Sequence, residues 1–438
     1  MDLTLAVFEA GERPGGKLLT ADFAGTRVDL GAESLLARGP DTEAVIGQLG
    51  LGASLIRPAT TSASIWNGRR LVPIPRDTVL GVPLYPWRAD VVRAVGVLGA
   101  ARAALEPVLR RGEPQLDGAL GDFVGRRVGN RVFGRLVDPL LGGVYAGPAK
   151  GLSTGAVAPQ LLAAAEKGGS LLQGLRRWSR ANPNPAGTTP FVSFPGGLER
   201  LVEGLVAAIP HRTLHLGQPV GAIKAVEGGR FRLQVQGAPS SDFDGLVLAL
   251  SAPAAAVLLS PMASDLGQLL RELEYSSVAT ITLAYPDQGL SRQLMGSGFL
   301  VVRRPRRLIT ACTFMDRKWP QLRQPGLTIL RVSVGSFGDE WALALDDTTL
   351  VTSVHRELRT MLGIGKLPID ARVERWHGAL PQYRSGHLGW RARVAQSATT
   401  LAAPLELTGA AFGGIGVAAC IREGTTSAQS LWSRLSPA

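Results

Sequence analysis

Apolar and polar positions change period several times along the chain, and the changes divide it. Residues 3–8 (LTLAVF) are an apolar run of strand formers that stops at Glu9, and Gly11, Pro14, Gly15 and Gly16 then make a turn. Residues 41–51 carry helical spacing and end at Gly50 and Gly52. Residues 62–72 alternate as a hairpin about Asn67-Gly68, a pair suited to a two-residue turn, and residues 75–83 read as a proline-bounded connecting loop. From residue 87 to 179 the pattern is helical, rich in Ala and Leu, with basic interruptions at Arg102, Arg110, Arg111, Arg126, Arg127, Arg131 and Arg135. Within it, residues 137–147 predict a Gly-dense turn between helices, and residues 181–187 a flexible loop. An amphipathic helix that begins within 194–201 runs to Ala208, before Pro210. Residues 214–250 alternate as strands and lead through Ser251-Ala252-Pro253 into a helix start. The β-branched runs at 275–285, 298–302, 308–314 and 327–334 predict a mostly antiparallel sheet. A strand at 405–411, the turn Gly413-Gly414-Ile415-Gly416 and a terminal helix containing Cys420 close the chain.

The expected fold class is therefore α/β, a body that carries a second, mostly antiparallel sheet. A Rossmann-like nucleotide-binding domain truncated at its N-terminus, an antiparallel-sheet substrate domain and a helical lobe are what the family resemblance of the motifs at 9–17, 28–34 and beyond implies for it. The 438 residues suffice for two or three domains. No uninterrupted apolar run is long enough to span a bilayer, and no signal-peptide pattern opens the chain, so a cytoplasmic protein is expected. The two cysteines, Cys312 and Cys420, are too few and too far apart for a disulfide framework or metal site and read as buried fillers. Among the five histidines only His211 and His215 approach ligand spacing, in a strand-like stretch without supporting Cys, Asp or Glu, so no metal is expected. The net charge of +12 suits nucleic acid, an anionic lipid surface or an acidic small molecule, and the lack of any nucleic-acid-binding motif disfavours the first. Basic amphipathic helices in 87–179 either cover a core or lie on an anionic membrane face.

Candidate chemistry starts at Glu9. A strand ending in a carboxylate before a glycine turn is how the second strand of a dinucleotide-binding unit ends, the carboxylate accepting from ribose hydroxyls. An ordinary strand-end acid is the competing reading. The GxGxxG fingerprint belongs about 20 residues upstream of such an acid, and here Met1 stands only two residues before the strand. Either the start is displaced, or the chain lacks the pyrophosphate-binding turn. The continuation GGK at 15–17 and VDLGAES at 28–34 resembles flavin amine-oxidase-type enzymes.

Further blocks sharpen the resemblance: LVPIPRDTVLGVP at 71–83, DPLLGGVYAG at 138–147, FPGGLERL at 194–201, GSGFLV at 296–301, ACTFMDRKWP at 311–320, WHGALPQYRSGH at 376–387 and GGIGVAACIREG at 413–424. In this order they resemble the protoporphyrinogen and coproporphyrinogen oxidases, flavoenzymes near the end of haem synthesis, over essentially the whole chain. The resemblance implies FAD as cofactor and a discontinuous FAD domain (residues 1–60, 191–260 and 371–438). It also implies a substrate domain (61–86 and 261–370) and a helical, membrane-contacting lobe (87–190). Glu9 and Ala10 would meet the adenosine, and Val220 would offer backbone to the adenine. Lys17, Gly31, Ala32, Glu33 and Ser34 would line the flavin, with Trp376 nearby, and Ile415, Gly416 and Val417 would bring helix N–H groups to its pyrimidine end.

The implied reaction is oxygen-linked oxidation of a porphyrinogen, with hydrogen peroxide formed. It needs no side-chain nucleophile, and no catalytic residue is assigned. Arg76 is the candidate contact for a substrate propionate, a solvated loop arginine being the alternative. Tyr383 and His387 are expected to be structural near the flavin. The pattern is similar to the Gram-positive branch acting on coproporphyrinogen III. Protoporphyrinogen IX, another flavin amine-oxidase-like reaction and an inactive truncated homologue are the alternatives. Implied partners are the porphyrinogen, molecular oxygen, a peripheral membrane surface and the next haem-pathway enzyme, but no nucleic acid.

Overall fold

The computed structural model describes residues 3–37, 39–109, 114–183, 189–290, 293–304 and 307–436. Arg110, Arg111 and residues 184–187 of the expected loop lie outside the described residues.

A seven-stranded sheet organises the molecule, in the order Asp370–Pro381, Tyr275–Pro286, Leu327–Val334, Ile309–Phe314, Gly298–Val301, Ser64–Trp66, Leu71–Pro73. Its neighbours pair antiparallel except Gly298–Val301 with Ser64–Trp66, which run parallel. Alternation assigns its two faces. In Leu327–Val334, Leu330, Val332 and Val334 pack with Leu350, Val354, Leu358 and Met361 of the helix Asp347–Leu362, while Arg331 and Ser333 fall on the other face. That helix forms where its signals say: the Asp346 carboxylate accepts from the Thr349 N–H at 2.9 Å, and Gly363 ends it at φ 71°.

Helices between Ala89 and Ala181 form a lobe around its own apolar core, which includes Val95, Leu120, Leu136, Leu161 and Leu172. The fully buried Glu106 ties it together: its carboxylate accepts from Ser170 Oγ at 2.5 Å and from Leu171 N at 2.8 Å, with Arg127 at 3.6 Å.

The part expected to bind nucleotide is built of small pieces. Val7–Phe8 pairs parallel with Leu214–His215, and Leu246–Leu248 pairs parallel with Leu405–Leu407. Among the described residues these two pairs are not hydrogen-bonded to each other. Val220–Val226, Arg230–Val235 and Ser241–Phe243 make an antiparallel three-stranded sheet beside them.

Three local expectations need correction. The register Trp66 to Leu71 and the Asn67 N to Arg70 O bond place the tight turn at Gly68-Arg69, with Gly68 at φ 97°; Asn67 instead accepts from the Arg69 and Arg70 amides. The loop at 75–83 contains a hairpin, Thr78–Val79 with Val82–Pro83, turning through Leu80 and Gly81. A Cβ on Gly81 would stand 2.8 Å from the Leu136 carbonyl carbon, so the turn is pressed onto the lobe. The Gly-dense segment is no turn but the helix Asp138–Tyr145, ended by left-handed Ala146. Its glycines serve close packing, since a Cβ on Gly142 would meet the Gly147 carbonyl oxygen at 2.8 Å.

Candidate functional site

Glu9 follows the strand Val7–Phe8, as the apolar run of strand formers predicts, and stands where the parallel pair ends. Its amide donates to the His215 carbonyl at 2.9 Å, and its carbonyl accepts from Gln218 N at 3.0 Å. One carboxylate oxygen accepts from the Gly11 amide at 2.7 Å. Phe8 and Val220 pack on the same apolar cluster, so Glu9, the exposed Ala10 and Val220 form one group. The Arg13 guanidinium fixes the glycine turn beyond them, donating to the carbonyls of Pro14, Gly16 and Leu18.

A second group gathers around Gly31. The chain at 17–19 runs back against 30–32, with Ala32 N donating to Lys17 O at 3.1 Å and Leu30 N to Leu19 O at 2.8 Å. A Cβ at Gly31 would fall 1.9 Å from the Lys17 carbonyl oxygen and 3.2 Å from Trp376 Cζ2, so only glycine fits. Trp376 reaches this point from the strand Asp370–Pro381, next to a bulge where Gly378 N donates to Ser277 Oγ. Its indole N–H reaches Thr280 Oγ1 at 3.4 Å, and Thr280 in turn donates to the Leu30 carbonyl at 2.6 Å. Burial lowers the Lys17 ammonium pKa, and Cys420 on the last helix opposes this.

Glu33 pairs with Lys318 Nζ and lies 3.4 Å from the Arg331 guanidinium. Burial alone would raise its carboxyl pKa, but the two cations outweigh that and hold it below the ordinary value. Arg331 also donates to the Asp29 carbonyl at 2.9 Å, tying the VDLGAES turn to the polar face of the large sheet. Asp29 accepts from Thr20 Oγ1 at 2.7 Å and Leu198 N at 2.9 Å and so holds the FPGGLERL segment. Lys318, Arg331 and Thr280 were not singled out from sequence; only Lys318, inside the KWP block, carried a usable signal.

The last helix, Val417–Leu435, starts at Gly416 without a side-chain cap or an acid in its first turn. Its first internal bond is Cys420 N to Gly416 O, which leaves the amides of Val417, Ala418 and Ala419 outside the helical ladder, where a partial positive charge develops. Nothing lies within 4 Å of a Cβ placed on Gly416. Val417 and Ala32 pack on one apolar cluster, and Ile415 packs on the core of the helical lobe. Tyr383 donates to the Ala410 carbonyl and stacks on His387 at 4.0 Å. Burial raises the Tyr383 pKa and pushes that of His387 down to about 4, so both are neutral near pH 7. Arg76 belongs to neither group: it is exposed, its amide donating to Asp90 at 3.1 Å.

The residues present fit a flavin. The tight Gly31 turn, the Trp376 indole against it and, through the cluster shared by Ala32 and Val417, the uncapped start of the last helix lie together, and a strand-end carboxylate stands where the parallel pair ends. The chain matches the flavin-containing amine oxidoreductase family model over residues 3–431. The chain belongs to this family. Among relatives of the amine oxidoreductase family, a coproporphyrinogen III oxidase from Bacillus subtilis is 30% identical over 97% of this chain and 90% of its own. One of the same name from Mycobacterium tuberculosis is 32% identical over 96% and 89%. A solved structure from Exiguobacterium sp. 255-15, provisionally named a protoporphyrinogen oxidase, superposes with a TM-score of 0.86 at 31% identity, covering 98% of this chain and 93% of that one. Reduced UDP-galactopyranose mutase, 14% identical with a TM-score of 0.73 over 98% and 90%, shares the fold. The chain is an FAD-dependent oxidoreductase with the α/β flavoprotein fold of its family.

Proposed function

We propose that the chain oxidises coproporphyrinogen III to coproporphyrin III, with oxygen as electron acceptor and hydrogen peroxide as second product, in haem synthesis. The observation that carries this reading is the match of the whole chain, including its sheet and lobe, to relatives named for that reaction. FAD, when bound, supplies the two-electron acceptor, used three times per macrocycle, and returns the electrons to oxygen.

The residues bind and orient. Glu9, Ala10 and Val220 take the adenosine; Lys17 and Gly31 to Ser34, with Trp376, form the wall beside the ring system. Ile415, Gly416 and Val417 present the free amides of the last helix to the end of the ring where negative charge develops. The macrocycle gives up hydride from a methylene bridge and a proton from a pyrrole N–H, so positioning is the main demand on the chain. The neutral Tyr383 and His387 support the site without moving a proton. Arg76, exposed in the loop before Thr78, receives a propionate.

The helical lobe rests on an anionic membrane face. Among the described residues no helix is long and apolar enough to cross a membrane. Trp87, Val97, Leu98, Leu105 and Val108 are nevertheless exposed among arginines, a pattern suited to interfacial docking.

The test is turnover by the FAD-loaded chain, followed by porphyrin fluorescence and peroxide release. Coproporphyrinogen III should be oxidised faster than protoporphyrinogen IX. Equal inertness towards both would sink the reading, and a preference for protoporphyrinogen IX would reassign the substrate.

A further inference from the structure

Outside the two groups assigned to the flavin, a shallow cleft opens where the helix Asp138–Tyr145 meets the sheet strands Gly298–Val301, Ile309–Phe314 and Leu327–Val334. Pro139, Val301, Val334 and the half-exposed Trp341 give it apolar walls, and Arg303, Arg304 and Arg307 line it together with Asp138 and Asp339.

The cations are incompletely matched. Asp138 spends one carboxylate oxygen on the Ala149 amide at 2.8 Å, and its other oxygen is 3.9 Å from Arg303 Nε, too far for a hydrogen bond. Arg303 Nη1 donates to Ser336 Oγ, while its Nε is buried with no acceptor. A buried charged donor without a partner is uncommon and points to an absent acceptor. Arg304 turns away to the Asn67 carbonyl at 3.3 Å, and Arg307 has no ion pair among the described residues. Gly142 keeps the cleft open, since a Cβ there would stand 3.2 Å from Arg303 Nη2.

We infer that Arg303, assisted by Arg307, forms a carboxylate subsite for a ligand with a flat apolar body. Resting on the porphyrinogen reading, that carboxylate is a propionate, held here and separately from any contact at Arg76. The apolar walls cover the ring edge, and the guanidinium Nε gains the acceptor it lacks.

The experiment is fluorescence titration of the FAD-loaded full chain with coproporphyrin III and with its tetramethyl ester. Arg303→Gln should weaken coproporphyrin III binding at least tenfold and leave the ester unchanged; Arg307→Gln should do the same more weakly, and Arg303→Lys, which keeps the charge but not the Nε–H, should recover only part of the affinity. Thermal melts of each variant separate lost binding from lost fold. Unchanged affinity in Arg303→Gln, an equal loss for acid and ester, or no coproporphyrin binding by the parent chain would each overturn the subsite. Turnover is scored apart. An active enzyme whose Arg303→Gln variant binds normally keeps the oxidase reading and loses this one; an inactive chain with charge-dependent binding does the reverse.

Discussion

Asp29 shows how one buried carboxyl couples the fold around residues 28–34 and 194–201 to pH. It is 6% exposed and makes no ion pair among the described residues; its oxygen instead accepts from Thr20 and from the Leu198 amide. Burial is the largest influence and outweighs those bonds, raising its pKa from 3.8 to about 6. A carboxyl whose folded pKa lies above its unfolded value favours the fold while protonated. Its contribution is complete below about pH 4 and is lost as pH rises through about 6. The shift corresponds to roughly 3 kcal/mol at most. Asn keeps the accepting oxygen and cannot ionise. Asp29→Asn should therefore gain stability relative to the parent chain by about 2–3 kcal/mol between pH 4 and pH 7. Urea midpoints at constant ionic strength check this, and parallel curves for the two proteins would rule it out.

At the scale of elements, the helices Ala89–Val95 and Val97–Ala104 are joined at Gly96, whose φ of 79° lets the second leave at an angle. The kink turns Val95, Ala100 and Ala103 into the core and leaves Val97, Leu98 and Val108 at 70% exposure or more. Fully burying such a side chain stabilises by about 1.5–3 kcal/mol, so even partial insertion of three should shift membrane partitioning more than tenfold. Replacing Val97, Leu98 and Val108 by Glu should abolish co-sedimentation with phosphatidylglycerol vesicles while leaving turnover in detergent intact. High salt should weaken the parent chain's binding but not eliminate it. Equal sedimentation of both proteins would refute interfacial docking. The arginine-interrupted apolar faces of this lobe were legible in the sequence because helical periodicity is local. So were four strands of the large sheet and its hairpin, whose β-branched runs alternate, but not the edge strand Asp370–Pro381, whose charged and polar positions hide it. The turn at Gly68-Arg69 was misplaced by one residue because register is fixed by the partner strand, not by the Asn-Gly pair alone. The Glu33 to Lys318 pair joins residues 285 apart, and the steric demand at Gly31 comes from Lys17 and Trp376 together; neither leaves a local pattern.

For the whole molecule, stability is unevenly distributed. The large sheet is sealed on the helix side by residues that are fully buried, among them Ile281, Leu283, Leu330, Val332 and Val334. The nucleotide-binding part rests on two separate parallel pairs of two and three residues per strand, and two-stranded pieces are marginal without a covered face. Parallel strands normally lie buried on both faces, yet Val7 and Val247 are exposed, and only Ser427 of the 19-residue last helix is buried. The short strands proposed to hold the adenosine end of the cofactor thus keep exposed positions that the large sheet lacks, which places them at the low end of local opening free energies. Hydrogen exchange followed by mass spectrometry should show amides of residues 5–9 and 405–408 exchanging at least tenfold faster than those of Tyr275–Pro286 in the cofactor-free chain. Saturating FAD binds only the closed arrangement and should slow the first two segments while leaving the third unchanged. Uniform protection across all three before FAD is added would mean that the parallel pairs are as firmly set as the sheet. Protection that appears only with FAD would instead make the cofactor part of the fold, so that flavin loading, rather than catalytic side chains, limits the active fraction.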